Sequence, residues 1–502
     1  MLVEDQNFIG NNSNTSQASW IGIGSLATFG LSLITVAVLS RYLNKEEYGT
    51  YRQILFIYNT LLVIFTAGLP RVFNYYLPRF ELSEGKEIVL KISKVLFLTG
   101  LLFSVFLFTT SGVIANILKN PELSKGLKYF SPVPMLLLPT LGIEGIFSTY
   151  RRTIYIAIYN ILTRTIMLVF IVAPVVIFSG GYIFAVYGWI ISSFIIFIIA
   201  FYYKNIPFRG ILQKESGLGF REILNYSLPL VSASIAGMIY RGANQFYISR
   251  YFGPEVFAEF SNGFIEIPFV HMITGATSTV LMPVFSKIVY EKSDISKITE
   301  LWQSALNKSA ILIYPIVIYF IFYSKELVTI VFSETYANSA KYFSVAMIIN
   351  FFNIIVFAPL LLSLGKSKFY ARFHYGLAII TWVVEYLAII IFKTPISIAI
   401  TFVVIATCGS IIPLAYIAKC IKVSIIRLFP IVRLLVIAMH SFIAMFLVNF
   451  SMRRFLAGSS DLLFVTIAGL LYLGMLLISA KWFKIKYWDI VRPLLKNNKS
   501  HK

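Results

Sequence analysis

Three short sets of polar residues interrupt runs that are otherwise apolar, and each has a spacing that permits chemistry. Asn160 and Arg164 lie one helical turn apart, on a face continued backwards by Ala157 and Thr153. Arg241 stands beside Asn244 and Gln245, with Ser227 and Ser234 on the same helical face. Glu259, Asn262 and Glu266 follow at i, i+3 and i+7, so an unbroken helix aligns them in one stripe continued by Thr274 and Thr277. A guanidinium keeps its charge and offers a planar fork of donors that grips an anion at two points. Arg164 and Arg241 are therefore candidate contacts for an anionic ligand such as a phosphate or carboxylate group, with Asn160, Asn244, Gln245 and Asn262 as hydrogen-bonding companions. Glu266 and Glu259 are candidates for taking up H⁺ or Na⁺, since burial can bring a carboxyl's titration into the working range.

Each of these residues also has a plainer role. Arg164 can pair with a helix-borne carboxylate, and Arg241 can snorkel to lipid headgroups. Arg151 and Arg152 stand at a helix end as positive-inside anchors or as headgroup contacts, with Glu144 expected to pair with them. Helical spacing puts His271 on the face opposite Glu266, as a packed histidine, and Glu385 is a weaker coupling candidate.

The elements that carry these residues are set by composition. Of 502 residues, 58% are hydrophobic and 13% charged, and the mean hydropathy is +0.80. A water-soluble surface cannot be made from that mixture, so the surplus faces lipid. Lys and Arg number 43 against 22 Asp and Glu. In a membrane chain that excess marks basic cytoplasmic loops and attraction to anionic lipid rather than nucleic acid. Fourteen apolar runs reach the roughly 17–25 residues that a spanning helix needs. Among them are Ile154–Phe178, Ile223–Ile248, Val256–Val280 and Phe343–Leu364. The longest predicted loops, Arg71–Lys94, Lys204–Glu222 and Phe285–Lys308, are too short for an independent domain of roughly 50 residues.

The chain also repeats itself. SRYLNKEEYGTY, Ser40–Tyr51, returns as SRYFGPEVFAEF, Ser249–Phe260, and the Lys128–Ser131 tetrapeptide KYFS returns at Lys341–Ser344. Both echoes fall between apolar runs at nearly equal spacing, which indicates a duplication. The expected fold is an all-α polytopic membrane protein of about 14 transmembrane helices. Residues 1–203 form an N-terminal six-helix lobe, 204–222 a cytoplasmic connector and 223–422 a second six-helix lobe; 423–480 add a helix pair and 481–502 a basic cytoplasmic tail. An even helix number makes the repeats parallel, related by an axis along the membrane normal, with the substrate path between them. Both termini fall in the cytoplasm, because that orientation puts most Lys and Arg inside.

Several signals fail. LGKSK at Leu364–Lys368 ends like a phosphate loop, but Leu360 occupies the position that requires Gly. His271, His374, His440 and His501 have no metal-ligand spacing. Cys408 and Cys420, about 18 Å apart on one helix, are beyond disulfide reach. No cofactor or metal is expected.

The motifs in order carry a resemblance. SRYLNKEEYGTY is followed by AGLPRVFNYYLPR (Ala67–Arg79), YSLPL (Tyr226–Leu230), FGPEVFAEFSNGFIEIP (Phe252–Pro268) and LMPVFSK (Leu281–Lys287). Across nearly the whole chain this pattern resembles the Wzx-type flippases of the multidrug/oligosaccharidyl-lipid/polysaccharide exporter superfamily. It departs from them at Asn244, where relatives often carry Asp, and at Ala258, a glycine-like turn position. An Asp-based coupling at 244 is thereby removed. The resemblance implies a flippase, not an enzyme, moving undecaprenyl-pyrophosphate-linked oligosaccharide across the cytoplasmic (inner) membrane by alternating access. It would serve O-antigen, lipopolysaccharide or capsule biosynthesis, with membrane lipids, a coupling H⁺ or Na⁺ and polysaccharide assembly machinery as partners. The alternatives are a drug/cation antiporter of the same superfamily, which would favour an anionic cavity, and a membrane polysaccharide polymerase or ligase, which generally needs a larger outer loop.

Overall fold

The computed structural model describes residues 14–291, 294–455, 458 and 460–487, with backbone alone for 14–19, 229, 230 and 233. The last part of the expected basic tail, from 488 on, and His501 lie outside these residues. The described secondary structure is helical. Two compact units, Met1–Ala258 and Glu259–Lys502, divide the chain.

In the first unit, helices α1 (Asn14–Tyr42), α2 (Lys45–Phe65), α3 (Pro70–Tyr76), α4 (Leu82–Leu118), α5 (Pro121–Phe130), α6 (Val133–Leu137), α7 (Ile143–Thr149), α8 (Thr153–Phe178) and α9 (Tyr182–Asn205) follow one another. Then comes α10 (Phe220–Gly263), kinked at Gly253, where φ is 82°; the division between units falls inside it. The second unit continues with α11 (Pro268–Tyr290), α12 (Ile295–Phe322), α13 (Ser324–Phe332), α14 (Ser339–Ile348), α15 (Phe357–Ser363), α16 (Ser367–Phe392), α17 (Pro395–Cys420), α18 (Ile425–Leu428), α19 (Ile431–Phe455) and α20 (Asp461–Ser479).

Twelve stretches among the described residues are long and apolar enough to cross a membrane. Two of the fourteen expected spans are not in that set. Ile223–Ile248 carries Arg241, Asn225, Asn244 and Gln245, and Phe343–Leu364 is broken between α14 and α15. Loops are shorter than expected, because helices run on past the apolar windows: α4 starts at Leu82, and only 291–294 separate α11 from α12. Charged side chains such as Glu and Lys are good helix formers once outside the hydrocarbon.

The repeated motif explains much of the first unit. In its first copy Asn44 caps α2: its side chain accepts from the Glu47 N–H at 2.9 Å, and the Glu47 carboxylate accepts in return from the Asn44 N–H at 3.2 Å. The second copy lies against the first. A Cβ on Gly49 would meet the Pro254 carbonyl oxygen at 2.0 Å, so glycine is what lets the two backbones touch. Beside this contact Gln53 donates to Ser249 (2.8 Å), while Asn120 donates to Gln53 (2.6 Å) and Thr50 (2.9 Å). All four side chains are buried, and buried polar groups linked in this way fix one register. Phe56 packs on Phe257, with ring centroids 5.9 Å apart. Further along, Gly68 lies on Ser227 and Val231, and Tyr75 stacks on Tyr226 at 3.9 Å. Thus α10 follows α2 and α3 from Tyr226 to Phe257.

The 204–222 connector is fastened down rather than free. Lys86 donates to the Ile211 carbonyl (2.7 Å), Lys91 to that of Leu218 (2.6 Å), and Lys214 lies 3.6 Å from Glu84. In the second unit the terminal pair α19–α20 packs on α12 through Tyr319, Tyr323, Met445, Phe464, Ala468 and Tyr472, and the Tyr319 hydroxyl donates to the Val465 carbonyl at 2.7 Å.

Candidate functional site

Helix α8 positions the first polar set. Its early turns are buried: Thr153 and Ala157 are each 2% exposed, and Ala157 packs on Gly24 of α1. The expected polar face therefore opens to its surroundings only from Asn160 onward. Asn160 donates to the Glu144 carboxylate of α7 at 3.1 Å. Arg164, one turn later and near the middle of the 26-residue helix, is exposed. Its one hydrogen-bond partner is the Met167 sulfur at 3.6 Å, and it forms no ion pair among the described residues. The internal salt bridge is thus not made. Nor does Glu144 pair with Arg151 or Arg152; it serves Asn160 instead. Arg151 is exposed at φ 54°, and Arg152 is half-buried beside it at the start of α8.

On α10 the second set is split by burial. Arg241 is exposed, with a guanidinium nitrogen 3.6 Å from where a Cβ on Gly237 would stand. Asn244 is 2% exposed and its side-chain oxygen accepts from the Gln245 N–H at 2.7 Å. Ser227, expected to share the face of Arg241, is buried against Gly68. Among the described residues no hydrogen bond or ion pair links the α8 set to the α10 set. Sequence reasoning missed a neighbouring cluster, in which Tyr75 lies between Tyr226 and the Arg79 guanidinium, 3.6 Å from its ring centre.

The third set, in the second unit, departs most from expectation. The predicted helix Val256–Val280 is interrupted at 264–267, between the end of α10 and Pro268 of α11. Glu259 and Asn262 are buried at the end of α10, whereas Glu266 is exposed in the break. Glu266 meets His271 at 3.2 Å. The helical-wheel placement of these two on opposite faces fails because no continuous helix joins them. Glu259 accepts from Asn338 at 3.3 Å. Glu385 is fully buried on α16, with no hydrogen-bond partner for either carboxyl oxygen among the described residues.

The second unit also holds an apolar recess of about 480 Å³, lined by Tyr314, Phe352, Leu414, Phe429 and Leu435 among others. A second recess of about 340 Å³, with Phe322 and Phe442 in its walls, shares Phe351 and Ala438 with it. The second recess lies between α12 and α19, and the first continues from it among α17, α18, α19 and residues 351–355.

The fold is shared with solved membrane transporters. The lipid II flippase MurJ in an inward closed conformation aligns with a TM-score of 0.69 at 16% identity, covering 94% of this chain and 99% of that one. An inward-facing multidrug resistance MATE family transporter of the MOP superfamily gives 0.63 at 13% identity, covering 81% and 98%. The succinoglycan biosynthesis transport protein ExoT of Rhizobium meliloti is 24% identical over 289 residues, so the alignment spans 55% of each chain. Residues 38–341 match the family model described as polysaccharide biosynthesis protein.

Proposed function

Since the chain belongs to the polysaccharide biosynthesis protein family, we propose that it is a flippase carrying undecaprenyl-pyrophosphate-linked oligosaccharide outward across the cytoplasmic membrane. Arg164 carries the reading. It is a guanidinium in the middle of an apolar helix, exposed and without a carboxylate, and a charge at such depth is retained where it faces a wet cavity and an anion. The pyrophosphate supplies that anion, and the fork geometry suits it. Arg241 and the half-buried Gln245 of α10 extend the polar lining.

Transport proceeds by alternating access of two six-helix lobes, 1–203 and 223–422, with both termini in the cytoplasm. The membrane potential or an ion drives it; each charge crossing the full field contributes about 2.3 kcal/mol per 100 mV. Coupling to H⁺ or Na⁺ is assigned to Glu266, which meets His271, and to Glu259, which accepts from Asn338. Arg151 and Arg152 take lipid headgroups at the inner face. A drug/cation antiporter is disfavoured by the same unpaired guanidinium, which repels cationic cargo.

Complementation of a deletion strain tests the reading. Arg164→Ala should abolish surface polysaccharide at normal membrane abundance, and Arg164→Lys should restore it in part, keeping the charge and losing the fork. Normal export by Arg164→Ala would end the assignment.

A further inference from the structure

We infer that Asn74, Glu144 and Asn160 form the subsite for the first sugar of the carried lipid, and that Glu144 makes this subsite selective for a neutral ring over an acidic one. The inference rests on the pyrophosphate contact proposed at Arg164.

Three elements bring these residues together. Asn74 is exposed on α3, and its amide oxygen lies 3.0 Å from where a Cβ on Gly145 would stand. The side chain therefore lies over the first turn of α7, against the residue next to Glu144. Glu144 is exposed and receives the Asn160 amide at 3.1 Å; it takes part in no ion pair among the described residues. Arg164 follows Asn160 by one turn of α8. The result sets amide, carboxylate, amide and guanidinium on three successively packed helices, α3, α7 and α8, within one unit. Helices α7 and α8 belong to stretches apolar enough to cross a membrane, 121–149 and 153–178. An exposed carboxylate on such a stretch belongs in water-filled space, not lipid.

The order of charges across these helices sorts a ligand. Pyrophosphate is drawn to Arg164 and repelled by Glu144, so the ring attached to it falls against Glu144, Asn160 and Asn74. A carboxylate that gives one oxygen to Asn160 retains lone pairs for sugar hydroxyls. The two amides add donors and acceptors at either side. A uronic acid there would set a second carboxylate beside the first, and like charges at short range are destabilising in such a setting.

The test uses the full-length protein in lipid nanodiscs and three probes: farnesyl pyrophosphate, farnesyl-pyrophosphoryl glucose and farnesyl-pyrophosphoryl glucuronic acid. Wild type should bind the glucose probe roughly tenfold more tightly than the glucuronic one, equivalent to about 1.4 kcal/mol. Glu144→Gln keeps an acceptor for Asn160 and removes the charge. It should bring the ratio to about one by tightening the glucuronic probe far more than the other two; farnesyl pyrophosphate and the glucose probe gain only the relief of repulsion on the pyrophosphate, and by the same factor. Asn74→Ala should weaken the glucose probe roughly fivefold, one lost hydrogen bond, without affecting the sugarless probe. A wild-type ratio near one overturns the inference, as does a ratio that Glu144→Gln leaves intact or three probes that shift together. If farnesyl pyrophosphate binds Arg164→Ala as well as wild type, the pyrophosphate reading itself fails, and the subsite with it.

Discussion

Replacing Gly49 with alanine probes the contact between the two copies of the repeated motif. The new Cβ would lie 2.0 Å from the Pro254 oxygen, 2.4 Å from its carbonyl carbon and 3.0 Å from its Cα. All three are backbone atoms, so no side-chain rotation relieves the clash. Carbon atoms pack best at about 3.5–4.0 Å, so α2 and the kinked part of α10 must separate by more than ~1 Å. That movement weakens the Gln53–Ser249 bond of 2.8 Å and the Phe56–Phe257 packing. Overpacking of this kind costs about 1–3 kcal/mol, and a weakened buried hydrogen bond adds roughly 1 kcal/mol. Alanine recovers up to about 1 kcal/mol through its helix propensity. The net loss is about 2 kcal/mol, a roughly thirtyfold change in the folded-to-unfolded ratio. Gly30→Ala on α1 is the control, since nothing lies within 4 Å of its Cβ. Heating detergent-purified protein and following the monodisperse fraction reads the difference, with half-life at fixed temperature as the measure. If Gly49→Ala survives heating as long as wild type and Gly30→Ala, the two copies do not touch as described.

Gln53→Leu should be worse than its volume change implies, because it leaves one N–H of the Asn120 amide and the Ser249 hydroxyl unpaired in a buried place, the other Asn120 N–H staying on Thr50; about 1–3 kcal/mol for each unpaired group is expected, read in the same heating assay. Single cysteines placed after Arg152 and after Lys366 should be labelled by an impermeant maleimide only in opened cells. Labelling of both in intact cells would reverse the orientation and remove the parallel repeat.

The apolar runs made most helices legible, because spanning length and hydrophobicity are local properties of the chain. The breaks were harder to see. At 264–267, Pro268 signals a helix start, yet the charged stripe from Glu259 to Glu266 fits a helical period and hides the interruption. The meeting of Glu266 with His271 depends on that turn, so no helical wheel reveals it. The repeat itself was visible in the residues, but not that Gly49 and Pro254 make its copies touch, which is a long-range contact. For the site, Arg164 could be singled out by depth alone. Its lack of a carboxylate, and the diversion of Glu144 to Asn160, follow from the packing of α7 on α8, which no spacing rule encodes. Arg241 and Asn244 are neighbours in sequence, yet one is exposed and the other buried. Facing was predictable from the period, but not which face the rest of the unit covers.

Translocation in reconstituted vesicles tests the central claim most directly. Purified protein is placed in liposomes carrying a fluorescent polyprenyl-pyrophosphoryl oligosaccharide, and an impermeant quencher added outside reports how much lipid has changed leaflet. Wild type should make the protected pool accessible well ahead of protein-free vesicles, whereas Arg164→Ala at equal incorporation should not. Wild-type vesicles that flip the lipid no faster than empty ones, or Arg164→Ala vesicles that keep pace with wild type, would contradict the account.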